Sequence, residues 1–180
     1  FARASLQALI DDGQEIAAVF TQPDRPRGRG MTVSASPVKE LATERGISVF
    51  QPESFKDGAP TELLKSLAPD LVVAVAYGRL LPDSFLSIPG YGGINVHASL
   101  LPKYRGAAPI QWAVLNGDEV TGVTVQRMVK EIDAGDILAS RETPIGEYET
   151  SGQLFERLKA LGAELLTETV HAIAEGRAQP

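Results

Sequence analysis

Asn95 and His97 stand two residues apart at the end of an apolar run. That run passes into Ser99-Leu100-Leu101-Pro102-Lys103-Tyr104-Arg105-Gly106-Ala107-Ala108-Pro109, a polar stretch broken by glycine and proline. A strand repeats every two residues, so both side chains project from one face while Val96 points to the other. An imidazole can move a proton near neutral pH, and an amide can donate a hydrogen bond to an oxygen that gains charge. At the end of a buried strand the two could act together on one small polar group. The plainer alternative is that they only satisfy backbone groups of the following loop.

A carboxylate would complete such a centre by relaying a proton, directly or through water. Asp133 and Asp136 are offered by Ile132-Asp133-Ala134-Gly135-Asp136, where Asp and Gly equally suit a plain turn. The residues alone do not choose between these two acids. A second constellation is cationic: Arg25, Arg27 and Arg29 stand among Pro and Gly with only Asp24 to offset them, and Lys103 and Arg105 extend the patch. Guanidinium groups on an adaptable loop can neutralise phosphates or stack on unpaired bases, although a basic loop is most often simply solvated. Gly28-Arg29-Gly30 lacks the third glycine of a dinucleotide fingerprint. His171 lies beside acidic residues near the chain's end with no obvious partner, and reads as surface.

The elements that must position these groups follow from periodicity. Helices are expected over residues 5–11, from Pro37 to near Gly46, and over 61–67, 79–86, 108–115 and 151–175. Strands are expected over 16–20, 47–50, 70–77, 94–98, 120–129 and 137–143, the last two joined by the Asp133 turn and pairing antiparallel. Residues 22–36 read as an Arg-rich loop, and Trp112 as part of the core. The continuously apolar, β-branched stretch at 70–77 reads as a central parallel strand. Leu154, Leu158, Leu161, Leu165 and Ile173 form the buried stripe of the last helix. This order is α/β, a Rossmann-like twisted and mostly parallel sheet flanked by helices. Such sheets bind ligands beyond the carboxyl ends of their strands, where Tyr77, His97 and Val129 fall.

Composition narrows the class. With 180 residues and 43% hydrophobic content, the chain supports one domain with a sizeable core. No stretch approaches the ~20 apolar residues of a membrane span, so the reading is a soluble protein with no membrane partner. Zero cysteines exclude thiolate chemistry, and two histidines make a protein-held metal improbable; the composition fits the cytoplasm. A formal charge of -6 argues against a generally basic nucleic-acid-binding surface, so any RNA contact must be local.

The segment from Gly93 to Pro109 resembles the signature of the formyltransferases that use 10-formyltetrahydrofolate. Thr21-Gln22-Pro23-Asp24-Arg25-Pro26-Arg27-Gly28-Arg29-Gly30 and Glu131-Ile132-Asp133-Ala134-Gly135-Asp136 match in order and spacing, and are most similar to the branch that acts on methionyl-tRNA. The resemblance implies the formyltransferase fold and formyl transfer from 10-formyltetrahydrofolate, a co-substrate, to the α-amino group of initiator methionyl-tRNA, without a metal. Asn95 and His97 would serve the developing oxyanion and the proton, and Asp133 rather than Asp136 would be the catalytic carboxylate. Arg79, Leu80 and Leu81, with Ser99, Leu100, Leu101 and Pro102, would hold the folate, helped by the backbone of Val129, Lys130, Glu131 and Ile132. Arg25, Arg27, Arg29, Lys103 and Arg105 would meet the tRNA acceptor stem. The protein would be a monomer. The resemblance also implies a strand ahead of residue 5 and a C-terminal β-barrel domain that helps hold tRNA, so residues 1–180 read as the catalytic domain lacking both.

Other readings compete. The same trio would serve formylation of a sugar-nucleotide amine or a purine precursor, or hydrolysis of the formyl carrier. A serine hydrolase using His97 and Ser99 is disfavoured: neighbours on one strand face lie ~6.6 Å apart, beyond a hydrogen bond of ~2.6 to 3.2 Å, and no Gly-x-Ser-x-Gly elbow is present. A non-catalytic RNA-binding module is disfavoured by the acidic balance.

Overall fold

A computed structural model describes residues 1–27 and 32–178. Its elements run in the order α1 (Ala2–Asp11), β1 (Val19–Phe20), β2 (Arg25–Arg27), β3 (Thr32–Ser34), α2 (Pro37–Glu44), β4 (Val49–Phe50), α3 (Ala59–Leu67), β5 (Val72–Val75), α4 (Asp83–Leu86), β6 (Gly93–His97), α5 (Pro109–Leu115), β7 (Val120–Arg127), β8 (Ile137–Pro144) and α6 (Ser151–Ala174). β1 pairs in parallel with β4, and β5 in parallel with β6. β7 continues the second sheet antiparallel to β6, and β8 antiparallel to β7, giving the order β5-β6-β7-β8.

The α/β architecture with flanking helices is as expected, and alternation along β6 explains how one strand serves two purposes. Ile94 and Val96 are buried against α6 together with Val123 and Val125 of β7. Leu154, Leu158 and Leu166 of α6 are 0% exposed there, each contributing roughly 1.5–3 kcal/mol by leaving water. Asn95 and His97, out of phase with that core, take the other face. Residue identity also sets the helix starts. Ser36 accepts a hydrogen bond from the Lys39 amide with Pro37 in the first turn of α2, and Thr150 and Gln153 form a reciprocal capping box on α6.

Four expectations are corrected. Residues 79–82 are not helical: α4 begins only at Asp83, because Pro82 favours an extended conformation and stands as the cap. The Arg-rich stretch is not an open loop, for Arg25–Arg27 and Thr32–Ser34 pair antiparallel as a hairpin. Trp112 is 49% exposed, because the inner face of the seven-residue α5 is taken by Ile110 and Ala113. Finally, β5 is an edge of its sheet among the described residues rather than a central strand. Beside it lies a cavity of about 890 Å³ lined by residues of β1 and β5, by apolar groups such as Leu6, Leu9 and Ile173, and by polar ones such as Gln14 and Asp70.

Candidate active site

The antiparallel register of β6 and β7 sets Gln126 opposite Asn95 and Thr124 opposite His97, so four polar side chains share one face of a largely apolar sheet. Beyond β7 the chain turns back through residues 128–136. Arg127 N donates to Asp136 O at 2.8 Å, and Met128 N to Gly93 O at 2.8 Å. Gly135 is required there by close approach: a Cβ on it would stand 1.9 Å from the Arg127 carbonyl oxygen. Asp133 adopts φ 48°, a left-handed conformation that a non-glycine residue holds at a cost, and thereby points its carboxylate back at the sheet.

Both carboxylate oxygens of Asp133 are engaged. Oδ1 accepts from Asn95 Nδ2 at 3.3 Å and from Gln126 Nε2 at 2.8 Å; Oδ2 accepts from the Gly106 amide at 2.8 Å and lies 3.5 Å from His97 Nδ1. His97 is 7% exposed, and its Nε2 is 2.8 Å from the Tyr104 carbonyl oxygen. A carbonyl can only accept, so Nε2 carries hydrogen and Nδ1 is the nitrogen directed at Asp133. Asn95 has two N–H groups, and only one is directed at Asp133, which leaves the second for another acceptor. Asn95, His97 and Asp133 therefore meet, with an amide donor beside an imidazole–carboxylate pair.

The loop after β6 is held by a chain of contacts that pattern reading had not picked out. Thr124 Oγ1 donates to Ser99 O at 2.7 Å and accepts from Leu101 N at 3.1 Å, while Ser99 Oγ donates to Lys103 O at 2.5 Å. Tyr104 OH donates to Asp118 at 2.8 Å, and Lys103 Nζ pairs with the other Asp118 oxygen at 2.8 Å. The Lys103 hydrogen bond, then the Tyr104 one, hold the Asp118 carboxyl below its ordinary value, and Asp118 raises Lys103 in return. Gln126 was also missed. Its signal was a polar residue inside the apolar run Val123-Thr124-Val125-Gln126.

The remaining expected site residues divide. Leu80, Val129 and Ile132 are apolar side chains exposed by 69%, 43% and 59%, available to a flat apolar ligand. Lys130, Glu131 and Pro102 are exposed, and Leu81, Leu100 and Leu101 partly so. Arg79 donates from Nη1 to the carbonyls of Pro52 and Glu53, tying two loops together. Ser99 is fully buried with its hydroxyl and carbonyl both engaged, so it shapes the loop and offers neither group to a ligand. The same engagement removes it as a nucleophile. Arg25, Lys103 and Arg105 are exposed; only the backbone of Arg27 is described, and Arg29 lies outside the described residues. Lys39 Nζ bonds Asp24 and Gln51 at 2.6 and 2.7 Å, and Gln51 Nε2 bonds Asp24 and the Gln22 carbonyl, which anchors the base of the Arg hairpin. His171, expected to lack a partner, pairs through Nε2 with Asp12 at 2.8 Å; that hydrogen bond raises its pKa. Among the described residues no group of acids and histidines could hold a metal ion, and no helix is long and apolar enough to cross a membrane.

Residues 1–170 match the family described as formyl transferase. The chain is 51% identical over 179 residues to the methionyl-tRNA formyltransferase of Agathobacter rectalis, covering 99% of this chain and 58% of that protein. It is 51% identical over 181 residues to the same-named protein of Caldanaerobacter subterraneus, with 100% and 59% covered. It thus spans somewhat over half the length of these relatives. Among solved structures, glycinamide ribonucleotide transformylase 1 of Symbiobacterium toebii superposes with a TM-score of 0.83 at 27% identity, covering 98% of this chain and 84% of that one.

Proposed function

The chain belongs to the formyl transferase family, and on that premise we propose that it transfers a formyl group from 10-formyltetrahydrofolate to the α-amino group of initiator methionyl-tRNA. The observation that carries the chemistry is the meeting of Asn95, His97 and Asp133. The acceptor rests on the likeness to two methionyl-tRNA formyltransferases, each 51% identical across essentially the whole chain.

In the proposed step the amine nitrogen forms a bond to the formyl carbon, the bond from that carbon to the folate nitrogen breaks, and the amine proton is passed on to the departing nitrogen. Asn95 directs its second N–H at the formyl oxygen as negative charge develops there. His97, with Nε2 fixed by Tyr104, exchanges the proton through Nδ1, and Asp133 steadies the imidazole as it does so. The exposed apolar side chains of Leu80, Val129 and Ile132 would offer contacts to a pterin, and backbone groups near them would orient it. Arg25, with Arg27 and Arg29, would meet the acceptor stem, and Lys103 and Arg105 would add to the same basic surface.

The reading extends to organisation. A strand seated between β1 and β5 would join the two sheets, an idea supported by the cavity that residues of those two strands line, and a β-barrel domain would help hold the tRNA. The protein would act in the cytoplasm as a monomer. Rates with methionyl-tRNA and with an amino-sugar nucleotide, each with 10-formyltetrahydrofolate, test the proposal. A clear preference for tRNA is expected; preference for the sugar would refute the assigned acceptor, and no transfer to either would refute the reaction.

A further inference from the structure

We propose that Gln126 is a positioning residue that holds the Asp133 carboxylate between Asn95 and His97, an inference that rests on reading that trio as the formyl-transfer centre. Gln126 is 2% exposed on β7, and its register opposite Asn95 sends both amides to Asp133 Oδ1. The Gln126 contact is the shorter, 2.8 Å against 3.3 Å.

The cost of Gln126 shows what it does. Its Oε1 is buried and accepts no hydrogen bond from the described residues, so the protein itself matches only the Nε2 half of the amide. A methionine of similar length would fill the space without that penalty. Reversing the amide would set Oε1 against a carboxylate oxygen, so the orientation is dictated by Asp133. Asp133 in turn needs an external hold, because it sits at φ 48° at the tip of a turn whose other restraints are on the backbone of Arg127 and Met128. With Gln126 on Oδ1 and the Gly106 amide on Oδ2, the carboxylate plane is pinned from both sides and Oδ2 stays turned to His97 Nδ1. The grip also leaves Asn95 only a long contact to Asp133, freeing its amide for the formyl oxygen. Gln126 itself moves no proton.

Gln126→Met separates positioning from folding. We expect the variant to melt at or above the parent temperature, with kcat lowered at least about tenfold and KM for tRNA and folate within about twofold, the pattern of a group acting only in the transition state. A readout free of substrate is the titration of the His97 ring followed by NMR. Asp133 is the one charged side chain in contact with His97 among the described residues, and His171, paired with Asp12 at the surface, is the internal reference. The His97 midpoint should move and the His171 midpoint should not. Gln126→Glu, which sets a second carboxyl against Asp133, should move it as well and decides the matter if the methionine variant does not fold. Parent-like kcat in Gln126→Met, or a parent-like His97 titration in the folded variants, overturns the inference. A parent protein inactive on every amine acceptor would instead overturn the functional reading, and the titration would still decide whether Gln126 positions Asp133.

Discussion

His97 Nε2 donates to the carbonyl oxygen of Tyr104 at 2.8 Å, so the ring is locked by the loop after β6 and only Nδ1, facing Asp133, is left for proton exchange. Tyr104 reaches that position in a left-handed conformation, φ 56°, and is itself tethered through its hydroxyl to Asp118. The alignment of the imidazole therefore depends on residues well outside the trio.

Replacing Asn95 or His97 by alanine should lower formyl transfer at least about a hundredfold, the scale of losing an oxyanion donor or a general acid–base group. Neither side chain belongs to the core cluster around α6, so folding should persist. Rates set beside circular dichroism and folate binding check this; loss of folding in both variants would make them structural residues.

Gly135→Ala should unsettle the turn that carries Asp133. The added carbon would stand 1.9 Å from Arg127 O and 2.8 Å from Arg127 C, both backbone atoms that cannot swing aside. We expect a loss of about 1–3 kcal/mol in stability, the scale of forced overpacking, and a marked fall in rate. Gly146→Ala, whose new carbon would lie 3.5 Å from Glu149 Cβ, is the tolerated control. Equal denaturation midpoints for the two would refute the argument.

Arg25→Ala should weaken use of tRNA more than it alters the chemical step. Arg25 is exposed at the base of the hairpin that Asp24, Lys39 and Gln51 anchor. A phosphate contact there would raise KM for tRNA and flatten the dependence of log affinity on log salt by about one. An unchanged salt slope would place the tRNA elsewhere.

Asp118→Ala should lower kcat several-fold by freeing Lys103 and Tyr104, with little change in the shape of the pH profile. Because Asp118 is held below its ordinary value, its contribution is present above the unfolded carboxyl value and is lost only as pH falls through the depressed one. The clamp thus stays charged across the neutral range. A new inflection near neutral pH in the variant's rate profile would contradict this.

Much of the site was legible beforehand because its rules are local. Alternation along Ile94-Asn95-Val96-His97 separated the core face from the polar face, and the spacing of polar groups marked the turn at Asp133. Exposure at Trp112 was not legible, since Ile110 and Ala113 satisfied the inner face of a helix too short to bury more. The pairing of residues 25–27 with 32–34 was hidden as well, because Pro and Gly suggest an irregular loop and give no register.

Strand identity, helix caps and the polar pair of β6 are written in residue order, because backbone periodicity acts between neighbours a few positions apart. Packing alone chose Gln126 as the partner of Asp133, made Tyr104 the brace of His97, and left β5 an edge among the described residues. Those outcomes depend on which strands lie side by side, and in what register, across separations of 7 to 38 residues in the site's hydrogen bonds. No local pattern encodes such a distance, whereas the three-dimensional chain sets it by burying one face of each element against another.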